Sequence, residues 1–273
     1  MPALLPDPLS GQPMSRFPGV IGLVFVTLAF GAGCATVPYA TRTSARPPGD
    51  SQGAIFVANG AGGSNATTQA LERAVEEEQL PLTVQTLAWS YGYGMFVLDQ
   101  RDGANAHDAG LELASAVLAY RRQFPGKAVY LLGHSAGSAV ILAAAEELPP
   151  ASVDRIVLLA PSASANHDIR PALRAARLGM HVFYSWRDVA FLGLGTALVG
   201  TPDGFGEAAA GRVGFRSRIE SPADAALAGK LYQYAWDPVV EWTGNRGGHF
   251  GTQADKYLRT YVVPLFLNNI SAH

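Results

Sequence analysis

The segment AVYLLGHSAGSAVILAAAEEL, residues 128–148, decides which fold this chain can adopt. Its first part, residues 129–132, is an unbroken run of β-branched and apolar residues, and a run this short fits a buried strand. Its last part is rich in alanine and other apolar residues and predicts a helix. Between them lies the sequence Gly133-His134-Ser135-Ala136-Gly137. The segment therefore predicts a strand, a tight turn that carries a serine, and a helix in immediate succession.

A Gly-x-Ser-x-Gly turn between a strand and a helix is the pattern of a nucleophile elbow. The serine occupies a strained turn, and Gly133 and Gly137 must lack side chains because these would collide with each other and with the serine. The turn exposes the Ser135 hydroxyl above the sheet, and the first turn of the next helix offers N–H groups to a developing oxyanion. The chain has 30 glycines, so the motif alone is weak, and a plain glycine-rich turn is the alternative. The flanking strand and helix favour the elbow.

Length and charge place the chain among ordinary globular proteins. Its 273 residues are enough for one α/β domain with a sizeable core. The formal net charge is −2, and the lysines and arginines are scattered rather than clustered. A nucleic acid or an acidic partner is therefore not predicted.

The N-terminal region predicts export. Residues 19–33, GVIGLVFVTLAFGAG, form a continuous apolar run that is short for a bilayer span and typical of a signal peptide. Arg16 supplies the positive charge that precedes such a run. Residues 1–13 contain an aspartate and several prolines, which is unusual there, so we expect translation to begin at Met14. Residues 1–34 are thus predicted to be a signal peptide.

Cys34 ends this region and is the only cysteine of the chain. The segment resembles a bacterial lipoprotein signal, in which a cysteine after small residues is lipidated, although that pattern prefers leucine where this chain has Gly31. We expect lipidation of Cys34 and a membrane-anchored protein of the cell envelope or periplasm; an ordinary secretory signal is the alternative. A lone cysteine leaves no intramolecular disulfide. Residues 35–52 are polar and proline-rich and are predicted to link this region to a domain of residues 53–273.

Strand and helix patterns alternate through that domain. Strands are predicted at residues 54–58, 82–89, 129–132, 153–160, 180–186 and 230–236, and helices at 66–80, 105–124, 138–148, 169–178 and 252–266. Such alternation implies a mostly parallel central sheet with helices on both faces, an α/β fold. Residues 189–228 are longer than one helix needs, and we expect a helix and a loop that shapes a pocket.

Two loops after predicted strands are candidates for the site. The first, Asn59-Gly60-Ala61-Gly62-Gly63-Ser64-Asn65, lacks the Gly-Lys-Ser/Thr and Gly-x-Gly-x-x-Gly patterns of phosphate loops. It favours an oxyanion loop, in which a backbone N–H points into the site without a bulky side chain in the way, over a plain turn. The second, residues 90–96, is aromatic and glycine-rich and follows a strand at the ligand-binding edge. It either lines an acyl pocket or covers the core.

A serine nucleophile needs a base, and the base needs an acid that holds its tautomer. His249 follows the last predicted strand in a glycine-rich loop and is the predicted base. His181 lies within a strand, and His167 leaves no room for an acid on a separate strand between it and Ser135. His134 must point away from the serine in an elbow.

The predicted acid is Asp188, which directly follows a buried strand and so reaches the same sheet edge as Ser135. Asp237, after the last strand, is the runner-up. Asp168 precedes a helix, where capping explains it.

Residues 53–266 resemble the α/β-hydrolase superfamily through residues 133–137, the loop 59–63, Asp188 and His249, in the superfamily's order. The resemblance implies the α/β-hydrolase fold and a serine hydrolase that forms an acyl-enzyme. By this resemblance, Ser135 attacks a carbonyl, His249 acts as base and then as acid, and Asp188 orients His249. The oxyanion is held by the N–H groups of Ala136 and Ala61, with Gly62 as the runner-up for Ala61.

No metal ion and no organic cofactor is implied, since the histidines and carboxylates show no ligand spacing such as His-Glu-x-x-His. The predicted activity is hydrolysis of carboxylic esters, with a small-molecule or lipid ester as substrate. The alternatives are an acyltransferase or peptidase on the same residues, or a binding lipoprotein without catalysis. The fold does not specify the substrate, and nothing in the sequence indicates an oligomeric state.

Overall fold

The computed structural model of this chain describes residues 42–43, 48–189 and 208–267. Within these residues, one β-sheet organises the fold. The strands in these residues are β1 (Arg42–Thr43), β2 (Gly53–Ala58), β3 (Leu82–Leu87), β4 (Ala128–His134), β5 (Arg155–Leu159), β6 (Met180–Tyr184) and β7 (Leu231–Ala235). They form one sheet in the order β1-β3-β2-β4-β5-β6-β7. Strands β2 to β7 are parallel, and β1 pairs antiparallel with β3.

Helices connect these strands. In the described residues they are α1 (Ala66–Glu77), α2 (Phe96–Arg101), α3 (Gly103–Gln123), α4 (Gly137–Glu147), α5 (Arg170–Ala175), α6 (Ala210–Val213), α7 (Pro222–Ala228) and α8 (Asp255–Tyr257). After α8 the chain continues as a π-helical turn, Leu258–Val262, and a 3-10 turn, Val263–Phe266. Other 3-10 turns are Pro48–Asp50, Pro238–Thr243 and Gly251–Gln253.

The core has two layers because successive side chains of a strand point to opposite faces of the sheet. One buried cluster contains Phe56 and Leu131 with residues of α3, α4 and α5. The other contains Val57 and Leu132 with residues of α1 and of the last helical turns. Each fully buried side chain of this size contributes about 1.5–3 kcal/mol to stability. The predicted class, a mostly parallel sheet with helices on both faces, is confirmed.

The structure differs from the prediction at several elements. Strand β1 lies within residues 35–52, the predicted linker, so the sheet has one strand more than the six that the patterns indicate. Helix α2, which the patterns do not indicate, begins at Phe96, the last residue of the stretch predicted as an aromatic loop. The predicted helix 252–266 is divided into short helical pieces, and Pro264, which has no N–H to donate, stands in the last of them.

Some predictions concern residues outside the described part of the chain. They are the signal peptide 1–34 with Met14 and Cys34, and most of the pocket-shaping loop between residues 190 and 207. Among the described helices, none combines the length and the apolar character that a bilayer crossing requires.

Candidate active site

Ser135 lies in the turn between β4 and α4 with a backbone φ of 52°. A positive φ is strained for a residue with a side chain and persists only where the surroundings impose it. Here three donors converge on the carbonyl oxygen of Ser135: the N–H and the hydroxyl of Ser138, at 3.0 and 2.6 Å, and the N–H of Ser162, at 3.2 Å. The N–H of Ser135 itself donates to Leu159. The turn is thus held by its neighbours in the geometry of an elbow.

The two glycines of the motif are required by close contacts, which are only in part those that the sequence suggests: a Cβ on Gly133 would lie 3.1 Å from the carbonyl oxygen of Gly137. A Cβ on Gly133 would lie 2.9 Å from a side-chain carbon of Ile141. A Cβ on Gly137 would overlap the carbonyl oxygens of Ala58 and Asn59. The neighbour that excludes a side chain at Gly137 is therefore the end of β2 rather than the serine.

Gly137→Ala is expected to lower the free energy of unfolding by about 3 kcal/mol, because the new methyl group meets backbone that cannot move aside. Urea denaturation measures the change. Gly248→Ala is the matched control, since a Cβ at Gly248 meets nothing within 4 Å. If the two variants unfold at the same urea concentration, the close contact at Gly137 has been overestimated.

The structure brings together the three residues predicted as nucleophile, base and acid. The Ser135 Oγ lies 2.9 Å from His249 Nε2, and His249 Nδ1 lies 2.6 Å from Asp188 Oδ2. All three side chains are buried. Because a carboxylate only accepts, Nδ1 of a neutral His249 carries the hydrogen, which leaves Nε2 free to accept the serine proton. This is the geometry that makes a hydroxyl nucleophilic.

These residues meet because they follow the carboxyl ends of β4, β6 and β7, which lie at one edge of the sheet with only β5 between β4 and β6. The two loops that carry the acid and the base are tied to each other by the Ser185 hydroxyl, which donates to the Gly247 carbonyl at 2.7 Å. The N–H of Asp188 in turn donates to the Ser185 carbonyl. The predicted acid is therefore anchored to the loop of the histidine to which it is hydrogen-bonded.

The alternative acids and the alternative base have other partners. Asp237 caps the 3-10 turn that follows it by accepting from a backbone N–H at 2.8 Å. Asp168 binds the Arg170 guanidinium, which holds the pKa of this carboxyl below its usual range. His181 lies in β6, with Nδ1 at 3.0 Å from the Tyr234 hydroxyl.

The loop 59–63 lies directly against the serine. A Cβ on Gly60 would be 3.3 Å from the Cβ of Ser135. Within the described residues, the N–H groups of Ala61 and Ala136 have no acceptor, and both stay candidates for the oxyanion hole. The N–H of Gly62 donates to Asp99 Oδ2 at 2.7 Å. Gly62 is therefore withdrawn as the runner-up, because its single N–H group already binds a carboxylate.

Asn59 anchors the start of this loop. Its side chain donates to the Thr68 hydroxyl and accepts from the Thr68 N–H, at 2.8 and 3.2 Å. Its carbonyl accepts from Trp89 Nε1 at 2.8 Å. These bonds join residues 9 and 30 positions apart, and no local pattern in the sequence predicts them.

The aromatic side chains of loop 90–96 do not cover the core. Tyr91, Tyr93 and Phe96 are exposed. Their loop lies beside loop 59–63, since a Cβ on Gly62 would lie 3.4 Å from that of Phe96. A separate surface cavity of about 430 Å³ opens beside Asp188 and His249. Across the three described ranges, no group of three or more His, Cys, Asp or Glu side chains is arranged to hold a metal ion.

His134 points away from the serine and lies behind the predicted base. Its Nε2 is 3.3 Å from the carbonyl oxygen of His249, and Gln253 donates to its Nδ1 at 3.3 Å. The rings of His134 and His249 are 5.1 Å apart. Burial, together with the nearby His249, lowers the pKa of His134 to about 3, so it is neutral at physiological pH. This contact forms because the loop that carries His249 packs against the elbow, and the sequence alone does not predict it.

Two buried histidines predict a loss of stability in mild acid. Burial is the main cause that lowers the pKa of His134 to about 3 and that of His181 to about 4. Below the unfolded pKa of about 6.5, the unfolded chain binds protons that the folded chain excludes. The free energy of unfolding should then be greatest above pH 6.5 and fall toward pH 5, with a slope approaching about 1.4 kcal/mol per pH unit for each histidine.

Urea unfolding at pH 7, 6 and 5 measures this slope. His181→Phe should remove about half of it, whereas His107→Gln should leave it unchanged because the His107 side chain is 52% exposed. A wild-type free energy of unfolding that is constant from pH 7 to pH 5 would contradict the assignment.

Comparison with known proteins shows which families and solved structures this chain is similar to. The family model of the serine aminopeptidases, S33, matches residues 93–219. TT1662 from Thermus thermophilus is 13% identical, with 86% of this chain and 95% of that chain covered and a TM-score of 0.50. At this identity the similarity supports the fold alone.

Two other solved structures are similar at lower TM-scores. The poly(3-hydroxybutyrate) depolymerase LpqC from Bordetella parapertussis is 16% identical over 84% of this chain and 89% of its own, with a TM-score of 0.48. The esterase domain of a Rhodothermus marinus protein is 12% identical over 83% and 90%, with a TM-score of 0.44. Among curated proteins, none matches the chain.

Proposed function

We propose that this chain is a member of the α/β-hydrolase superfamily and a serine hydrolase that cleaves carboxylic esters through an acyl-enzyme. One observation carries the proposal: two hydrogen bonds, of 2.6 and 2.9 Å, link Asp188 through His249 to the hydroxyl of Ser135. The hydroxyl belongs to a residue held at positive φ in an elbow. A buried carboxylate, an imidazole and a hydroxyl in this order form the arrangement that acyl transfer needs.

The reaction follows from these positions. Ser135 Oγ attacks the ester carbonyl while its proton passes to His249 Nε2. The negative charge that develops on the carbonyl oxygen is stabilised by the N–H groups of Ala61 and Ala136. The imidazolium then protonates the departing alcohol, which leaves an acyl group on Ser135.

Deacylation repeats the same steps with water. His249 removes a proton from a water molecule, the hydroxide attacks the acyl carbonyl, and the proton returns to Ser135 as the acid departs. Asp188 remains ionised throughout and stabilises the imidazolium. Because Asp188 and His249 are both buried, water screens this attraction less than at the surface.

A fluorophosphonate probe tests the proposal on the purified protein. We expect covalent labelling at Ser135 that is absent from Ser135→Ala, followed by hydrolysis of p-nitrophenyl esters. A series of increasing acyl length then defines the acyl preference. Folded wild-type protein that is neither labelled nor able to hydrolyse any of these esters would refute the proposal and leave a binding lipoprotein.

A peptidase is the second candidate, favoured by the match of residues 93–219 to the serine aminopeptidase model. Both reactions use the same nucleophile and differ in the leaving group. An ester and a p-nitroanilide with the same aminoacyl group distinguish them: an aminopeptidase turns over both, and an esterase turns over mainly the ester. Added alcohol tests acyl transfer, since an acyltransferase forms a new ester in place of the free acid.

We also propose that the protein is exported and anchored to a membrane of the cell envelope by a lipid on Cys34. The support is the apolar run 19–33 that ends at the only cysteine of the chain. Cys34→Ala is expected to move the protein from the membrane to the soluble fraction. If the variant still sediments with membranes, a lipid at Cys34 is not what holds it there.

A further inference from the structure

Asp99 is a buried carboxylate that takes no part in the reaction steps above. Only 2% of its surface is exposed. It accepts three hydrogen bonds: from the Gly62 N–H at 2.7 Å, the Ser90 hydroxyl at 2.6 Å and the Tyr91 N–H at 2.8 Å. All three donors are neutral. Burying a charge costs several kcal/mol unless such bonds offset it, so this carboxylate requires an explanation.

Packing of α2 does not supply that explanation. Asp99 is the only buried residue of α2, whereas Phe96, Val97 and Leu98 on the same helix are exposed. An amphipathic helix is normally attached to its domain by an apolar stripe. Helix α2 is instead attached at its buried side by a carboxylate, and the groups that this carboxylate binds belong to two loops.

One of these groups belongs to the oxyanion loop. The Gly62 N–H is part of the peptide unit that follows Ala61, so its bond to Asp99 restricts the rotation of that peptide. Asn59, at the other end, is held by Thr68 and Trp89. Ala61 thus lies between two anchored residues, and its own N–H has no acceptor in the described chain. Stabilisation of an oxyanion depends on donors that are already in position.

We propose that Asp99 is a positioning residue that holds the oxyanion loop so that the Ala61 N–H points at the developing oxyanion. The inference rests on the proposed serine-hydrolase function. Asp99 touches neither the substrate nor Ser135 and acts through Gly62. Its negative charge by itself would repel an oxyanion, so its benefit is geometric and should be specific to the transition state.

The test compares Asp99→Ala with Asp102→Ala in the full chain. Asp102 is the matched control. It also binds Tyr91, through the hydroxyl at 2.6 Å, and it caps α3, but within the described residues none of its hydrogen bonds reaches loop 59–63. On each protein we measure the kinetics with p-nitrophenyl butyrate and titrate the active sites with the fluorophosphonate. We also measure inhibition by butylboronic acid, which forms a tetrahedral adduct on serine.

For Asp99→Ala we expect kcat per titrated site to fall on the order of 10- to 100-fold with KM within about threefold. The affinity for butylboronic acid should fall by a factor similar to that of kcat. Asp102→Ala should lose stability but keep kcat within about twofold. Asp99→Asn keeps an oxygen acceptor and should recover much of the loss, with kcat about 3- to 10-fold below wild type because a neutral acceptor binds more weakly.

The inference is overturned if folded Asp99→Ala keeps kcat and boronate affinity within twofold of wild type, if only KM changes, or if Asp102→Ala loses as much kcat. If Asp99→Ala does not fold, Asp99→Asn decides, and wild-type kcat and boronate affinity in that variant refute the inference. A different result would show that the proposed serine-hydrolase function is wrong: folded wild-type protein would be neither labelled nor active. The proposed role of Asp99 would then be wrong as well.

Discussion

Ser135→Ala is expected to lower kcat for ester hydrolysis by about 10⁴- to 10⁶-fold while KM changes little. The substitution removes the atom that attacks the carbonyl and leaves the oxyanion donors and the substrate contacts in place. Residual hydrolysis should arise from binding and from the oxyanion hole alone. Steady-state kinetics with a p-nitrophenyl ester, together with loss of fluorophosphonate labelling, measures the effect. Activity within tenfold of wild type would mean that another residue is the nucleophile.

Comparison of Ser135→Gly with Ser135→Ala distinguishes the effect of backbone strain from the effect of losing the hydroxyl. Both substitutions remove the hydroxyl, so both should be inactive. Alanine keeps a side chain at the backbone φ of 52°, whereas glycine adopts a positive φ without strain. The glycine variant should therefore be more stable than the alanine variant by about 1 kcal/mol in urea denaturation. Equal stability would show that the turn is not strained at this residue.

Asp188→Asn is expected to lower kcat by about 10⁴-fold with the fold intact. An asparagine amide that donates to His249 Nδ1 leaves the imidazole hydrogen on Nε2, which faces the Ser135 hydroxyl at 2.9 Å. The imidazole in that tautomer cannot take the serine proton. The variant also loses the charge that stabilises the imidazolium. Both effects act on the transition state, so kcat should fall much more than KM rises.

Asp237→Asn is the control, because Asp237 was the other acid that the sequence allowed. Its carboxylate caps the 3-10 turn Pro238–Thr243, and asparagine caps a helical turn about equally well. The variant should keep kcat within about twofold of wild type. The opposite result, an inactive Asp237→Asn beside an active Asp188→Asn, would assign the acid to the loop after β7.

Much of the architecture could be predicted because it depends on local periodicity. Short apolar runs alternate with helical patterns, and this alternation places the strands in parallel with their carboxyl ends at one edge. Ser135, Asp188 and His249 each follow such an end, so their order along the chain already indicates that they approach one another. The short strand β1 has no such signal, since two residues are too few to form a pattern.

The hydrogen-bond partners of loop 59–63, the proposed oxyanion loop, could not be predicted in this way. Gly62 and Ala61 have the same local surroundings, and only the bond from Gly62 to Asp99, 37 residues away, distinguishes the two N–H groups. The contact of His134 with the His249 loop likewise joins residues 115 positions apart. Bonds of this kind arise when separate elements pack, and no window of sequence contains both partners.

Chain order and apolar periodicity therefore determine the sheet, the elbow at Ser135 and the identity of the residues that can reach it. Packing between elements decides which N–H groups remain available beside the serine and what holds them there. The physical reason is that a hydrophobic pattern is a property of one segment, whereas the satisfaction of a buried polar group depends on every segment that surrounds it. For this protein, the proposed nucleophile can be identified from residues 128–148, and the contacts that hold the proposed oxyanion loop only from the folded chain.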